Sequence, residues 1–321
     1  MRRIYLAVLA LAVAVALSAT GHADSYDYET GISYDASRAS TESGFAGPIG
    51  PIQPIRFESD SDNDEIGVYG TWFFDGVAAS SGPRSRAAFI GRASAISLRY
   101  TRGNGDTVST LNTTDPAVPS SMDRSEQDTN SFSANLRWVW SESGWYGLAG
   151  LSGADSEIDS EFGSIDFTAD AYSLGVGKYI GSQTTLELSV VRLDSDASGP
   201  IIGGNSTSTE TAFAFSHIGS LGRTWQYGTD IVLATTERGA SDGSYSARLS
   251  LYPSRPLAFG LEIDGALQDP GDVSTNYELF ASWFPRERIE LDARYGWIRF
   301  DEPSNTDFDQ YNFGVGVNFR F

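Results

Sequence analysis

The side chains of this sequence that could do chemistry are almost all carboxylates. The 321 residues include 42 aspartates and glutamates, two histidines and no cysteine. Metal centres built from histidine and cysteine are therefore excluded. Paired carboxylates of the glycosidase type cannot be singled out among so many acids. The sequence predicts no enzyme activity, no metal site and no cofactor.

Two local features are candidates for a metal site or a catalytic residue. The acidic run ESDSDNDE, residues 58–65, has the alternating carboxylates that bind hard cations, but it lacks the glycine and distal glutamate of an EF-hand loop. A solvated acidic loop is favoured, and a divalent-ion bridge to lipopolysaccharide phosphates is the alternative. His217 shares its parity with Phe213 and Phe215, which predicts an interfacial residue on the outer side of a sheet.

The elements that position these groups are predicted to be strands. Segments with an apolar residue at every second position, such as SYSARLSLY at 244–252, recur about fourteen times. Tight turns such as PSRP alternate with longer polar loops, which we expect at 35–63, 101–129, 154–166 and 194–208. The connection 75–85 is too long for a tight turn and fits this scheme least well. The pattern predicts an all-β fold, a transmembrane up-and-down antiparallel barrel of about 14 strands, within a range of roughly 12 to 16.

Aromatic residues provide a second test of this prediction. They gather near strand ends, as amphipathic rings do at membrane interfaces, whereas a soluble β-sandwich, the alternative fold, would not require it. One predicted belt lies at the tight-turn end: Trp72, Phe74, Trp138, Trp140, Trp145, Tyr179, Phe215, Trp225, Tyr252 and Trp283. The other belt lies toward the opposite end: Tyr100, Tyr245, Tyr277, Tyr295, Trp297 and Tyr311.

The N-terminus indicates export. Two arginines, a short apolar run and the small residues GHA make residues 1–23 a predicted signal peptide, and residues 24–321 the predicted barrel with long extracellular loops. The apolar run is too short for a membrane-spanning helix, which needs about 20 residues. Removing residues 1–23 removes two arginines and no acid, leaving 20 basic against 42 acidic residues. This charge excludes nucleic acid as the main partner.

The last residues, YNFGVGVNFRF, keep a perfect apolar and polar alternation to the terminal phenylalanine. This segment resembles the C-terminal signature of Gram-negative outer-membrane β-barrel proteins, and the barrel size and acidity make the chain look porin-like. The resemblance implies location in the outer membrane of a Gram-negative bacterium, contact with its lipid and lipopolysaccharide, and recognition by the barrel-assembly machinery. The residues that carry this predicted assembly signal are Tyr311, Phe313, Phe319 and Phe321.

The polar sides of the strands are the functional candidates, because the residues of a water-filled lumen determine what passes through it. The candidate pore-lining residues are Arg99, Arg137, Asp230, Arg248, Glu262, Asp264, Glu278, Glu290, Asp292 and Arg294. Five carboxylates on strands ten to thirteen face only Arg248 and Arg294 there, which favours cations. The predicted function is a channel for passive diffusion of small hydrophilic solutes or ions. The alternative is a closed structural or surface-interaction barrel whose interior charges pair.

The proline-rich segment GPIGPIQPI, within 47–55, has a proline every third residue. A polyproline II helix has three residues per turn, so prolines and isoleucines would lie on separate edges. The segment is interpreted as a stiff loop over the outer mouth; the alternatives are a loop that folds into the barrel, or a docking edge for an outside partner.

Overall fold

The computed structural model describes residues 25–45, 55–78, 82–112, 121–161, 163–199, 203–237, 243–267, 273–300 and 306–321. The predicted signal peptide and all but the last residue of the proline-rich segment lie outside these ranges. Within them the chain forms fourteen strands and one short helical segment. No helix in the described part of the chain is long and apolar enough to span a membrane.

The strands close into one antiparallel barrel. Each strand pairs with the next, and the last pairs with the first, so the sheet has no free edge. The predicted all-β barrel of fourteen strands is confirmed. The strands are β1 (Ser25–Phe45), β2 (Ile55–Ala78), β3 (Ala95–Asn112), β4 (Ser121–Trp140), β5 (Trp145–Ser160), β6 (Gly163–Ile180), β7 (Thr184–Ser198), β8 (Gly204–Leu221), β9 (Trp225–Glu237), β10 (Gly243–Ser254), β11 (Leu257–Leu267), β12 (Val273–Arg286), β13 (Ile289–Phe300) and β14 (Thr306–Arg320).

The outer face of the barrel is a continuous apolar band. Leu249, Leu261 and Leu279 lie side by side in register across β10, β11 and β12. Leu249 and Leu279 are each half exposed, and Leu174 is 70% exposed. A protein surrounded by water rarely exposes an apolar patch of more than a few hundred Å². This band is therefore suited to the hydrocarbon of a membrane.

The tryptophans of the predicted tight-turn belt lie on this outer face, but two tyrosines assigned to the belt do not. Trp72, Trp138 and Trp283 are about half exposed, whereas Tyr179 and Tyr252 are 4% and 3% exposed and point into the barrel. The assignment was wrong for these two because it used only depth along the strand. Their parity places them on the inner face.

Four predicted long loops are largely strand. The ladder between β2 and β3 continues through Ser59 and Ser109 to Arg56 and Asn112, and β5 and β6 pair as far as Ser160 and Gly163. Serine and threonine side chains pair across these extensions, with 2.9 Å between Ser61 Oγ and Thr107 Oγ1. Outside hydrocarbon both faces of a strand are polar, so the alternation disappears although the backbone pairing continues.

The acidic run at 58–65 therefore belongs to β2 and is not a loop. On its β3 side the neighbour of Asp62 is also acidic, whereas on its β1 side Asp62 forms an ion pair with Arg38 at 2.6 Å. Asp62 lies opposite Asp106, which lies opposite Glu126, which lies opposite Asp159. These carboxylates share the outward parity of the apolar band and form a row across four strands.

The apolar band gives a first prediction. We expect Leu249→Arg to lower the free energy of unfolding by about 2–4 kcal/mol, because it places a charge near the middle of the band. The matched control is Ser246→Arg, which faces inward, where Ser246 Oγ lies 3.4 Å from Glu262 Oε1. Urea unfolding in lipid vesicles measures both variants. Equal destabilisation by the two arginines would contradict the assignment of the outer face.

Candidate functional site: the barrel lumen

All ten predicted pore-lining residues lie on the inner face of the barrel. A cavity of about 530 Å³, here called the lower cavity, is lined by seven of them: Arg99, Asp230, Arg248, Glu278, Glu290, Asp292 and Arg294. Asp264 lines a smaller cavity near the other end of β11. Glu262 lies opposite Arg248 in the ladder, with 3.5 Å between Arg248 Nη1 and Glu262 Oε2. Arg137 lies over the rings of Tyr146 and Tyr179.

The described part of the connection between β2 and β3 crosses the interior at the tight-turn end. Its residues 82–94, here called the plug segment, contain a 3-10 turn, Arg84–Arg86, and a one-turn helix α1, Ala87–Ile90. Gly82 adopts a φ of +71°, and a Cβ added there would lie 2.5 Å from Ile90 Cδ1. Only glycine fits this sharp entry into the barrel without strain.

Polar contacts attach the plug segment to distant parts of the wall. Arg86 forms an ion pair with Asp230 on β9 and donates to the Tyr252 hydroxyl at 3.0 Å. The Arg84 amide donates to the Arg255 carbonyl at 3.1 Å. Arg92 donates to the Gly181 carbonyl in the β6–β7 turn. Burial lowers the pKa of Arg86, but Tyr252 and Asp230 outweigh it, so the pKa is raised and the side chain stays charged.

Apolar contacts complete the closure beneath the lumen. Ala87 and Ala93 pack with Tyr26, Phe73 and Val77 in a buried cluster. Phe89 packs against Val139, Tyr146 and Tyr179 in a second cluster. The plug segment therefore packs into small apolar clusters at the tight-turn end of the barrel.

Above the plug segment the lumen contains two adjacent polar cavities. The floor of the lower cavity is formed by Ser85 and Arg86. The second, here called the upper cavity, has a volume of about 500 Å³ and includes Asp35 and Glu65 in its lining. Three charged side chains, Arg99, Glu278 and Arg294, line both cavities and form a charged waist between them.

Ion pairs neutralise part of this lining. Arg294 Nε lies 2.8 Å from Asp35 Oδ1. Arg320 lies 2.7 Å from Glu29 and 3.2 Å from Glu290. The prediction that only Arg248 and Arg294 oppose the carboxylates of β10–β13 was wrong. Arg320 reaches Glu290 from β14.

Asp35 and Glu65, expected in a long loop and in the acidic run, line the upper cavity although they are not among the ten candidates. Arg86 was also missed, since it lies in no alternating segment. The available signal was the length of the connection 75–85, which was the poorest fit to a tight turn. Among the described residues, Glu278 and Asp292 make no ion pair within 4.0 Å, and the nearest carboxylate partner of Arg99 is Glu65 at 3.7 Å. The lumen therefore keeps two carboxylates without an ion pair, an arginine, Arg99, with one long contact, and Arg137, which makes no ion pair with a described residue.

The two other predicted features lie away from the lumen. His217 Nδ1 is 2.8 Å from Thr184 Oγ1, and its ring lies between those of Phe215 and Tyr227 on the outer face. At the C-terminus, Tyr311 and Phe313 are about half exposed. Phe319 and Phe321 continue the same outward parity beside β1. Their role as an assembly signal stays a prediction.

The fold and the lumen define a closed β-barrel with an apolar outer face and a charged interior. No protein-family model matches the chain, and no curated protein matches it significantly. Among solved structures it is similar to Acinetobacter baumannii outer membrane protein Omp33, with 14% identity, a TM-score of 0.49, and coverage of 92% of this chain and 99% of that one.

Two further solved barrels are similar over nearly the whole chain. The translocator domain of the autotransporter NalP from Neisseria meningitidis gives 12% identity, a TM-score of 0.41, and coverage of 99% and 96%. Pseudomonas putida OprB gives 9% identity, a TM-score of 0.40, and coverage of 92% and 93%.

Proposed function

We propose that the chain is an outer-membrane channel for passive diffusion of small hydrophilic solutes or ions, with a preference for cations. The observation that carries the proposal is the pair of polar cavities joined at the charged waist of Arg99, Glu278 and Arg294. A barrel that served only as a scaffold would gain nothing from unpaired charges beside internal space, because each costs desolvation. Charges beside water-filled space instead determine what passes.

The cation preference rests on the charges that line the two cavities. Glu278 and Asp292 have no ion pair among the described residues, while Arg294, Arg320 and Arg248 each have a carboxylate partner within 4.0 Å. Arg137, which also makes no ion pair with a described residue, lies outside both linings, over the rings of Tyr146 and Tyr179. A low-dielectric wall focuses the field of the excess carboxylates into the lumen. Cations are therefore concentrated there.

The reversal potential across a KCl gradient tests this preference. We expect cation selectivity in the wild type, a clear decrease in Glu278→Gln, and fading of the preference toward molar salt, because screening acts over about 8 Å at physiological ionic strength. Glu157→Gln is the control, since Glu157 has the outward parity and lies opposite Asp128 and Asp166 on the outer wall. Anion selectivity in the wild type would contradict the proposal.

A closed structural or surface-interaction barrel is the second candidate. The observation that favours it is the plug segment, which occupies the tight-turn end. For either function, we propose that membrane lipid and lipopolysaccharide contact the outer face. We also propose that the barrel-assembly machinery recognises the C-terminal residues Tyr311, Phe313, Phe319 and Phe321. These proposals assign the protein no enzymatic reaction, no cofactor and no nucleic-acid partner.

A further inference from the structure

We infer that the lower cavity binds small zwitterions, solutes that carry an ammonium group and a carboxylate on one flexible chain. The inference deepens the proposed channel function, on which it rests, by naming the class of solute. The volume of the lower cavity, about 530 Å³, lies within the range of about 300–1,000 Å³ for small-molecule sites. The cavity therefore holds a whole solute, in addition to single hydrated ions.

One side of the lower cavity offers free negative charge. Glu278 has no hydrogen bond or ion pair within the described residues, and Asp292 has only a 3.5 Å contact from the Asn318 side-chain nitrogen. Glu290 lies in the same lining but is already occupied, since Ser282, Asn318 and Arg320 all bind it. An ammonium group can therefore bind at Glu278 or at Asp292, which lie opposite Gly296 and Ser282 in the ladder, with Arg294 at the position between them.

The opposite side offers positive charge. Arg99 lies on β3, and four strands, β2, β1, β14 and β13, separate it from Glu278 on β12. Its closest carboxylate contact is Glu65 at 3.7 Å, which is too long for a good charge-assisted hydrogen bond. The Arg99 guanidinium can therefore bind a solute carboxylate. Tyr69, Ser33 and Ser97 lie in the same lining and offer hydroxyl groups.

The arrangement discriminates against solutes with only one charge. A simple amine placed at Glu278 leaves Arg99 with only its 3.7 Å contact to Glu65, and a simple carboxylate placed at Arg99 leaves Glu278 and Asp292 without an ion-pair partner. Polar groups left unpaired in a confined site cost binding free energy, and this cost is what makes such sites selective. A zwitterion satisfies both sides together.

Equilibrium dialysis of the full mature barrel in detergent tests the inference with three matched probes: ε-aminocaproate, n-hexylamine and caproate. The second lacks the carboxylate and the third lacks the ammonium group. We expect ε-aminocaproate to bind at least about tenfold more tightly than either. Equal binding of hexylamine would indicate a cation site only and overturn the inference, as would failure of all three to bind.

Single substitutions test which side of the lower cavity binds each end of the zwitterion. Glu278→Gln should reduce the affinity for ε-aminocaproate to that of caproate, and Arg99→Gln should reduce it to that of hexylamine. Arg124→Gln is the control, because Arg124 lies on the outer wall in a 3.2 Å ion pair with Asp106. Loss of binding in the control as well would overturn the site. Single-channel conductance of the same preparation separates the two proposals. A barrel that conducts but binds no probe overturns only the zwitterion site. A barrel that binds the zwitterion but does not conduct overturns only the channel.

Discussion

Deletion of Phe321, or Phe321→Asp, is expected to remove most of the heat-modifiable barrel from the outer membrane. The backbone of Phe321 contributes to the seam that closes the barrel. Its amide donates to the Tyr28 carbonyl at 2.8 Å, and its carbonyl accepts from the amides of Asp27 and Tyr28 at 2.7 and 3.1 Å. An open seam in hydrocarbon leaves backbone groups unpaired at a cost of several kcal/mol each. An aspartate would also add a charge to the outer face.

Two comparisons separate recognition of Phe321 by the assembly machinery from its contribution to closing the seam between β1 and β14. Phe321→Tyr keeps the backbone and the aromatic ring and should assemble normally. Refolding of the deletion variant into lipid vesicles without assembly factors should succeed if the residue acts only as a signal, and fail if the seam itself depends on its backbone. A normal amount of the deletion variant in cell membranes would refute both roles.

Replacement of the plug segment, residues 82–94, by a short glycine and serine turn is expected to raise single-channel conductance several-fold. The segment crosses the tight-turn end and carries Ala87, Phe89 and Ala93 into the buried clusters there. Without it, the lower cavity would open directly to the solution on that side. Planar bilayer recording before and after the replacement measures the effect.

A single substitution also tests whether the plug segment restricts conductance, and it changes the structure less than replacing the whole segment. Arg86→Ala removes the ion pair with Asp230 and the hydrogen bond to Tyr252, so openings of the plug segment should become more frequent. Arg124→Ala removes an ion pair of the same type on the outer wall and should leave the recordings unchanged. A barrel that stays silent with the plug segment removed would instead support the closed structural candidate.

Parity made most of the fold predictable from the sequence. Once Leu249 and Leu251 are placed outward, Arg248 must face inward, and the same rule places Glu262, Glu278 and Arg294 in the lumen. The rule depends only on the strand pleat, which directs successive side chains to opposite faces of the sheet. It therefore held wherever one face meets hydrocarbon and the other meets water.

The remaining features depend on contacts that parity does not describe. The strand extensions around Ser59 and Ser109 have two polar faces, so their sequence looks like loop although their backbone pairs. Arg86 reaches Asp230 across 144 positions of the chain, and no local pattern records such a contact. Glu278 and Asp230 look alike in sequence, and only the structure shows that Asp230 has an ion-pair partner and Glu278 has none.

The strand extensions also determine what a binding protein would meet on the barrel. β2 has 24 residues and β11 has 11, a difference of about 40 Å along the strand direction at about 3.3 Å per residue. On the taller side the accessible surface is a folded wall, where Asp62, Asp106, Glu126 and Asp159 are neighbours although they are far apart in the chain. Antibodies against this wall should therefore recognise discontinuous epitopes. Such antibodies should lose binding when the barrel is boiled, and linear peptides from the same strands should not compete for them.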